Sequence, residues 1–295
     1  MSSVEEVAAG LTAAFGRNTA AKPGGRVHGG CINECYRWES PAGALFVKVA
    51  PGDRLRMFEA EAAGLQELAR ANAVRVPRVL ACNVSGASAY LALEWIDLSP
   101  SSSRVGARFG EALARQHRVL AQRFGWSRDN TIGSTPQINT WSESWPGFFR
   151  EQRLRYQLSL AAENGFGGRL QARGALLLHH LTELFEDHAP GPSLLHGDLW
   201  GGNLGADAEG RPVVFDPAVY YGDREADLAM TRLFGGFSAS FYSAYEAAWP
   251  LPAGAPARMN LYNLYHVLNH LNLFGGGYLA QAQGLIDQQL AHLGH

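Results

Sequence analysis

Of the 25 basic residues in this chain only two are lysines, Lys22 and Lys48, and Lys48 lies inside the apolar run Leu45-Phe46-Val47-Lys48-Val49. A short run of β-branched and aromatic residues reads as a strand. A solvated surface lysine is out of place there, because lysine is rarely buried without a partner. The ammonium needs an anion. Arginine, planar and forked, is not equivalent to that compact charge. The fold must therefore bring an anionic group to the Lys48 strand.

The neighbouring segments show what kind of fold that is. Val4, Val7, Ala8, Leu11 and Phe15 recur at helical spacing, so an amphipathic helix opens the chain. Residues 24 to 50 read as strands with Gly-rich turns, including a hairpin through Ser40-Pro41-Ala42-Gly43. A helix is predicted over 54–70, ending at Val76-Pro77, and two more strands over 80–83 and 90–96. The polar stretch 97–103 is the candidate boundary, and helical patterns dominate beyond it: 105–123, 146–164, 173–187, 223–248 with breaks, and 261–273. Short strands are expected around Asn203 and at Val213-Val214-Phe215. The predicted class is α+β, with a small antiparallel β-rich N-lobe over 1–97 and a larger helical C-lobe over 98–295.

Composition excludes several roles. Hydrophobic residues make up 46% and charged residues 18%, enough for a sizeable core, and the net charge of -2 gives no nucleic-acid footprint. No apolar stretch reaches the roughly 18 residues of a membrane span. The first residues are acidic and unlike a signal peptide. Cys31, Cys35 and Cys82 are odd in number and lack metal-ligand spacing, which suits a reducing compartment. A cytoplasmic protein is expected, without nucleic-acid or membrane partners.

The chemistry is carried by His196-Gly197-Asp198-Leu199-Trp200-Gly201-Gly202-Asn203, which has the H-x-D-x-x-x-x-N spacing of a kinase catalytic loop. In that loop the aspartate orients the attacking hydroxyl and the asparagine gives an oxygen to magnesium. Asp216 closes the strand Val213-Val214-Phe215, where a carboxylate can bridge metal and phosphates, since magnesium prefers hard oxygen ligands. The turn Asp207-Ala208-Glu209-Gly210 suits a hairpin presenting both ligands. Upstream, in the order such an enzyme requires, lie a Gly-rich hairpin, Lys48 to grip the α/β-phosphates, and a helix carrying Glu59 and Glu61 to hold that lysine.

With these residues in place the chain resembles the fructosamine kinase (ketosamine 3-kinase) family, within the aminoglycoside and choline phosphotransferase group of kinase-like folds. The resemblance rests on 196–203 and on Gly29-Gly30-Cys31-Ile32-Asn33, Met57-Phe58-Glu59-Ala60-Glu61, Ile132 to Gln137, Phe148 to Leu154, Gly222 to Met230, and Asn269-His270-Leu271-Asn272. It implies a two-lobed, protein-kinase-like fold and ATP with Mg2+ as cofactors. Asp198 becomes the base, Asn203 and Asp216 the metal ligands, Lys48 the phosphate-binding lysine and Glu61 its partner. Gly29, Gly30, Cys31 and Asn33 fall in the phosphate loop, and Glu94-Trp95-Ile96 matches the adenine hinge. Trp200 presents an aromatic face to a sugar-amine substrate, and Asp227 receives hydrogen bonds from the catalytic loop. Two departures from protein kinases stand: residues 25–33 lack a full G-x-G-x-x-G, and Asp216 is followed by Pro217-Ala218. Both are usual in the small-molecule branch and turn the expectation away from protein acceptors.

Other residues have plainer readings. His196 is expected to be structural, bonding to backbone. Arg224 is expected to pair with Asp223 or Asp227. His266 and His270 are four apart on a helix, but Val267 stands where a metalloprotease has glutamate, so His270 is read as lining the substrate. Cys31, in an electropositive loop, is a candidate redox-sensitive thiol, giving a monomer or a redox-sensitive homodimer. The expected activity is ATP-dependent phosphorylation of a ketosamine's sugar hydroxyl in the repair of glycated amines. An aminoglycoside- or choline-type acceptor, or nucleotide binding without catalysis, stays open at this point.

Overall fold

The computed structural model describes residues 2–16, 22–27, 33–40, 43–100 and 102–295, with backbone only at 22 and 23. Gly29, Gly30 and Cys31 of the expected phosphate loop, and Pro41-Ala42 of the predicted hairpin, lie outside the described residues. The chain divides into two compact units: Met1–Ser101 with Gly205–Pro217, and Ser102–Leu204 with Ala218–His295.

The first unit opens with helix α1 (Ser3–Phe15), whose start is fixed by a reciprocal cap. Ser2 Oγ accepts from the Glu5 N–H, and the Glu5 carboxylate accepts from the Ser2 N–H. Strands β1 (Lys22–Arg26), β2 (Glu34–Ser40) and β3 (Gly43–Pro51) follow, then helix α2 (Leu55–Ala71) and strands β4 (Val79–Ser85) and β5 (Ser88–Glu94). They form one antiparallel sheet in the order β1-β2-β3-β5-β4. Alternation along β3 sends Leu45, Val47 and Val49 into a core with Trp38, Tyr90, Ala92 and the α1 residues Val7 and Leu11. Lys48 therefore points to the opposite face, where α2 lies with Glu61.

In the second unit α3 (Ser103–His117) stops earlier than the predicted 105–123, because the Val119 carbonyl is taken by the Leu194 N–H and Leu120 pairs with Ser193. Short strands β6 (Asn130–Ile132) and β7 (Thr135–Gln137) make a two-stranded ladder. The predicted helix over 146–164 begins as α4 (Trp145–Phe148), passes through a π-helical stretch at Phe149–Arg155 and ends as α5 (Tyr156–Glu163). Helix α6 (Arg169–His180) runs into a 3-10 turn, and β8 (Ser193–Leu195) leads to the loop 196–203. The chain next contributes to the first unit the hairpin of β9 (Leu204–Ala206) and β10 (Pro212–Val214), closed by Gly210 N–H on the Asp207 carbonyl. After it β11 (Tyr220–Gly222) pairs with β8, and helices α7 (Glu225–Leu233), α8 (Ala239–Ala248), α9 (Ala255–Phe274) and α10 (Leu279–His292) complete the second unit. None of the helices among the described residues is long and apolar enough to cross a membrane.

Candidate active site

In the first unit Lys48 Nζ lies 2.7 Å from Glu61 Oε1 and 2.6 Å from Asp216 Oδ1. Burial opposes the ammonium's charge, but the carboxylates of Asp216 and Glu61 outweigh it and hold the lysine's pKa above its ordinary value. Glu59, the other glutamate of the predicted pair, is exposed; alternation around α2 puts Glu61 alone on Lys48. Asp216 adopts a left-handed backbone (φ 55), a conformation that aspartate tolerates better than most residues. Cys35, the register partner of Lys48, is no reactive thiol: burial pushes it up to about 11.

The segment carrying Asp216 is held within its unit by groups that sequence reasoning overlooked. Ser99 and Ala206 exchange backbone hydrogen bonds, and the Val214 N–H donates to the Arg75 carbonyl. The Arg75 guanidinium joins Asp207 to Glu94, and Arg211 adds a second contact to Asp207 at 2.7 Å. Burial works against the Asp207 charge, but the Arg211 N–H and the two guanidinium groups prevail and hold its carboxyl down to about 2. Glu94, assigned by resemblance to the hinge, thus spends its side chain on Arg75 and Arg78. Beyond it Trp95 packs on Phe46 and Arg37 and donates to Asp97, while the Asn33 carbonyl accepts from Cys35 Sγ. A signal for the Arg75–Asp207 link was present only as an arginine before a strand and an aspartate in a turn.

In the second unit the loop 196–203 is clamped from behind. Asp227 is buried and accepts the backbone N–H groups of His196 at 2.7 Å and Gly197 at 2.8 Å, with His117 Nε2 at 3.2 Å. Burial opposes the charge on Asp227, yet His117 and these donors bring its pKa below the usual carboxylate value. Gly197 has φ 82, and a Cβ there would stand 2.0 Å from the Ala218 carbonyl oxygen, so glycine is required. His196 is buried, its Nδ1 accepting the Asp198 N–H. Asn203 Nδ2 donates to the Asp198 carbonyl at 2.9 Å and to Asp198 Oδ2 at 3.2 Å, so the two key residues of the motif are tied together. Asp223 accepts from Tyr262 and contacts His188. Arg224 pairs with neither aspartate, contrary to expectation: its guanidinium is taken by the Trp249 and Pro250 carbonyls and the Trp249 ring face.

Trp200 stands 37% exposed, its indole against Gly202, where a Cβ would lie 2.3 Å from the ring. Phe234 touches both Trp200 and His270, at ring separations of 6.3 and 4.7 Å. His270 Nδ1 bonds the His266 carbonyl, and burial lowers the His270 pKa. His266 is buried, its Nδ1 without a partner among the described residues; burial, with His270 and Arg153 nearby, lowers its pKa to about 3. Arg153, on the π-helical stretch, is buried completely and stacked between Phe148 and Tyr220.

Each unit carries an oxygen of the kind magnesium prefers: the Asp216 carboxylate in the first, and in the second the side-chain oxygen of Asn203, whose amide nitrogen is spent on Asp198. Comparison with known proteins gives the family. The sequence profile of the fructosamine kinase family matches residues 3–292. A Synechocystis protein named as a probable ketoamine kinase is 46% identical over 90% of this chain and 89% of its own. The chloroplastic protein-ribulosamine 3-kinase of Arabidopsis thaliana is 42% identical over 94% and 86%. A crystal structure from Haemophilus somnus, named for a fructosamine-3-kinase, superposes with a TM-score of 0.88 at 31% identity over 97% of both chains. An aminoglycoside phosphotransferase bound to ADP and hygromycin B shares the fold alone, with a TM-score of 0.65 at 17% identity over 97% of this chain and 98% of its own. The α+β kinase-like architecture, the family profile and its relatives agree: this chain is a phosphotransferase and belongs to the fructosamine kinase family.

Proposed function

We propose that the chain uses ATP and Mg2+ to phosphorylate a sugar hydroxyl of a ketosamine, O-3 by family resemblance, in the cytoplasmic repair of glycated amines. Lys48, held by Glu61, takes the α/β-phosphates, with Gly29, Gly30, Cys31 and Asn33 in the phosphate loop and Glu94-Trp95-Ile96 along the adenine. Asn203 and Asp216 give oxygens to magnesium, which neutralises phosphate charge when bound. Asp198 accepts the proton of the attacking hydroxyl, Trp200 and His270 face the substrate, and His196 and Asp227 hold the loop. The observation that carries this reading is the clamped loop, in which Asp227 fixes the backbone while Asn203 fixes Asp198. Phosphoryl transfer asks mainly for such positioning and charge stabilisation.

The test is a panel of fructosamines, ribulosamines and erythrulosamines assayed for ATP-dependent phosphorylation beside aminoglycosides and choline. Turnover of ketosamines, abolished in Asp198→Ala, is expected. Turnover of aminoglycosides or choline alone overturns the acceptor, and undiminished activity of Asp198→Ala overturns the base.

A further inference from the structure

Resting on the acceptor reading above, the geometry points to a second subsite: the rings of Phe234, His270, Phe274 and Tyr278 receive the substituent carried on the substrate's amine nitrogen, and favour an apolar or aromatic one. The ring contacts are continuous. From Trp200 they pass to Phe234 at 6.3 Å and to His270 at 4.7 Å, and from His270 to Phe274 at 5.4 Å and Tyr278 at 5.2 Å. Phe274 and Tyr278 also meet, at 6.4 Å. Among the described residues the two exposed large aromatic side chains are Trp200, at 37%, and Phe274, at 58%. They are the two ends of this same series. Isolated exposed apolar residues are ordinary, but a connected aromatic surface starting two residues from Asp198 is a binding feature.

Local sequence explains how the strip forms. Helix α9 ends at Gly275, whose positive φ of 88° favours glycine, and the Gly275-Gly276-Gly277 run lets the chain bring Tyr278 back beside His270. His270 lies with Phe274 on one helical face, four residues apart. Its Nδ1 is engaged by the His266 carbonyl, so the imidazole presents a ring to its neighbours.

The chemistry of a ketosamine decides what lies there. Its hydroxylated end belongs at Asp198 and Trp200, leaving a secondary amine and whatever that nitrogen bears. A surface of five rings with no carboxylate or guanidinium among them attracts an ammonium through ring faces and a hydrocarbon through buried area. To a carboxylate these rings offer no fixed cation, only the Trp200 indole N–H and the Tyr278 hydroxyl as donors. An aromatic substituent is therefore accepted better than the short anionic substituent of a glycine-derived ketosamine.

The experiment compares two acceptors with the same sugar, one made from benzylamine and one from glycine, in the full-length protein with saturating ATP. Wild type is expected to favour the benzyl acceptor in kcat/KM, and Phe274→Ala and Tyr278→Ala each to shrink that ratio about tenfold, mainly through the KM of the benzyl acceptor. Phe274→Trp is expected to restore it. The exposure of Phe274 makes the substitution benign for folding, which thermal unfolding verifies. Ketosamine turnover with a benzyl-to-glycine ratio that stays within twofold of wild type in both alanine variants overturns the subsite alone. Absence of ketosamine turnover in wild type overturns the acceptor reading and the subsite with it.

Discussion

Lys48 in the first unit and Arg153 in the second are both buried cations, and they are held in opposite ways. Lys48 is a point charge met by two carboxylates, Glu61 and Asp216. Arg153 has no carboxylate partner among the described residues: its guanidinium donates to the Ile138 carbonyl and Asn139 Oδ1 and is covered by the faces of Phe148 and Tyr220. The first arrangement can change partners, because an ammonium has three equivalent donors and Asp216 is one-third exposed. The second cannot, since its contacts are fixed by backbone, by the buried Asn139 amide and by rings in the core. The lysine arrangement suits the proposed role of Lys48, in which charge passes from carboxylate to phosphate.

The contrast can be broken most directly by Lys48→Arg. Its kcat/KM is expected to fall on the order of 100-fold, as when one preorganised electrostatic contact is lost, with little change in the denaturation midpoint. If Lys48→Arg keeps most of its activity, the two cations are interchangeable and the contrast fails. Arg153→Met is expected to do the reverse: about 3 kcal/mol of stability is lost in denaturant titration, because a buried carbonyl and amide oxygen lose their donor. Turnover of its folded fraction should fall far less than in Lys48→Arg.

Burial of His266 in the same unit also sets a pH limit. The folded pKa of His266, about 3, lies below its ordinary 6.5, so the unfolded chain binds the proton first and stability falls as pH drops below 6.5 towards 3. Between pH 6.5 and 5 this one group should remove about 2 kcal/mol, and His266→Gln should flatten that slope in unfolding measured against pH. The smallest effect belongs to Asp207. Its folded pKa is depressed, so its contribution is intact above the ordinary value of 3.8 and is lost as pH falls towards about 2. Asp207→Asn is expected to lower stability by about 1 kcal/mol and to leave the pH 5 to 6.5 slope as it was.

Much of this could be read from the residues. Period-2 alternation around Lys48, helical spacing in α1 and α2, and the motif at 196–203 placed the strand, the helices and the loop, because each signal is local. What escaped was tertiary. Val105 to Arg123 reads as one helix, yet β-type pairing of Leu120 with Ser193 ends it at His117. The three-residue strands are too short to carry periodicity. Helix α10 went unread although Ala282, Ile286 and Leu290 keep helical spacing, since Gly284 and the preceding glycine run mask it. Arg75 and Asp207 are separated by 132 positions, and nothing local marks them as partners.

The Gly205–Pro217 segment has a consequence for how the protein is made. Residues 1–101 leave the ribosome long before Asp216, yet the unit they belong to is complete only after Pro217. Until then Lys48 and Glu61 have been synthesised without their third partner, and Arg75 without Asp207. Domains that emerge first usually fold first. Here the N-terminal one must wait for more than one hundred residues of the other to be translated, so a fragment ending at 101 would lack both the ion-pair partner and the hairpin that completes it.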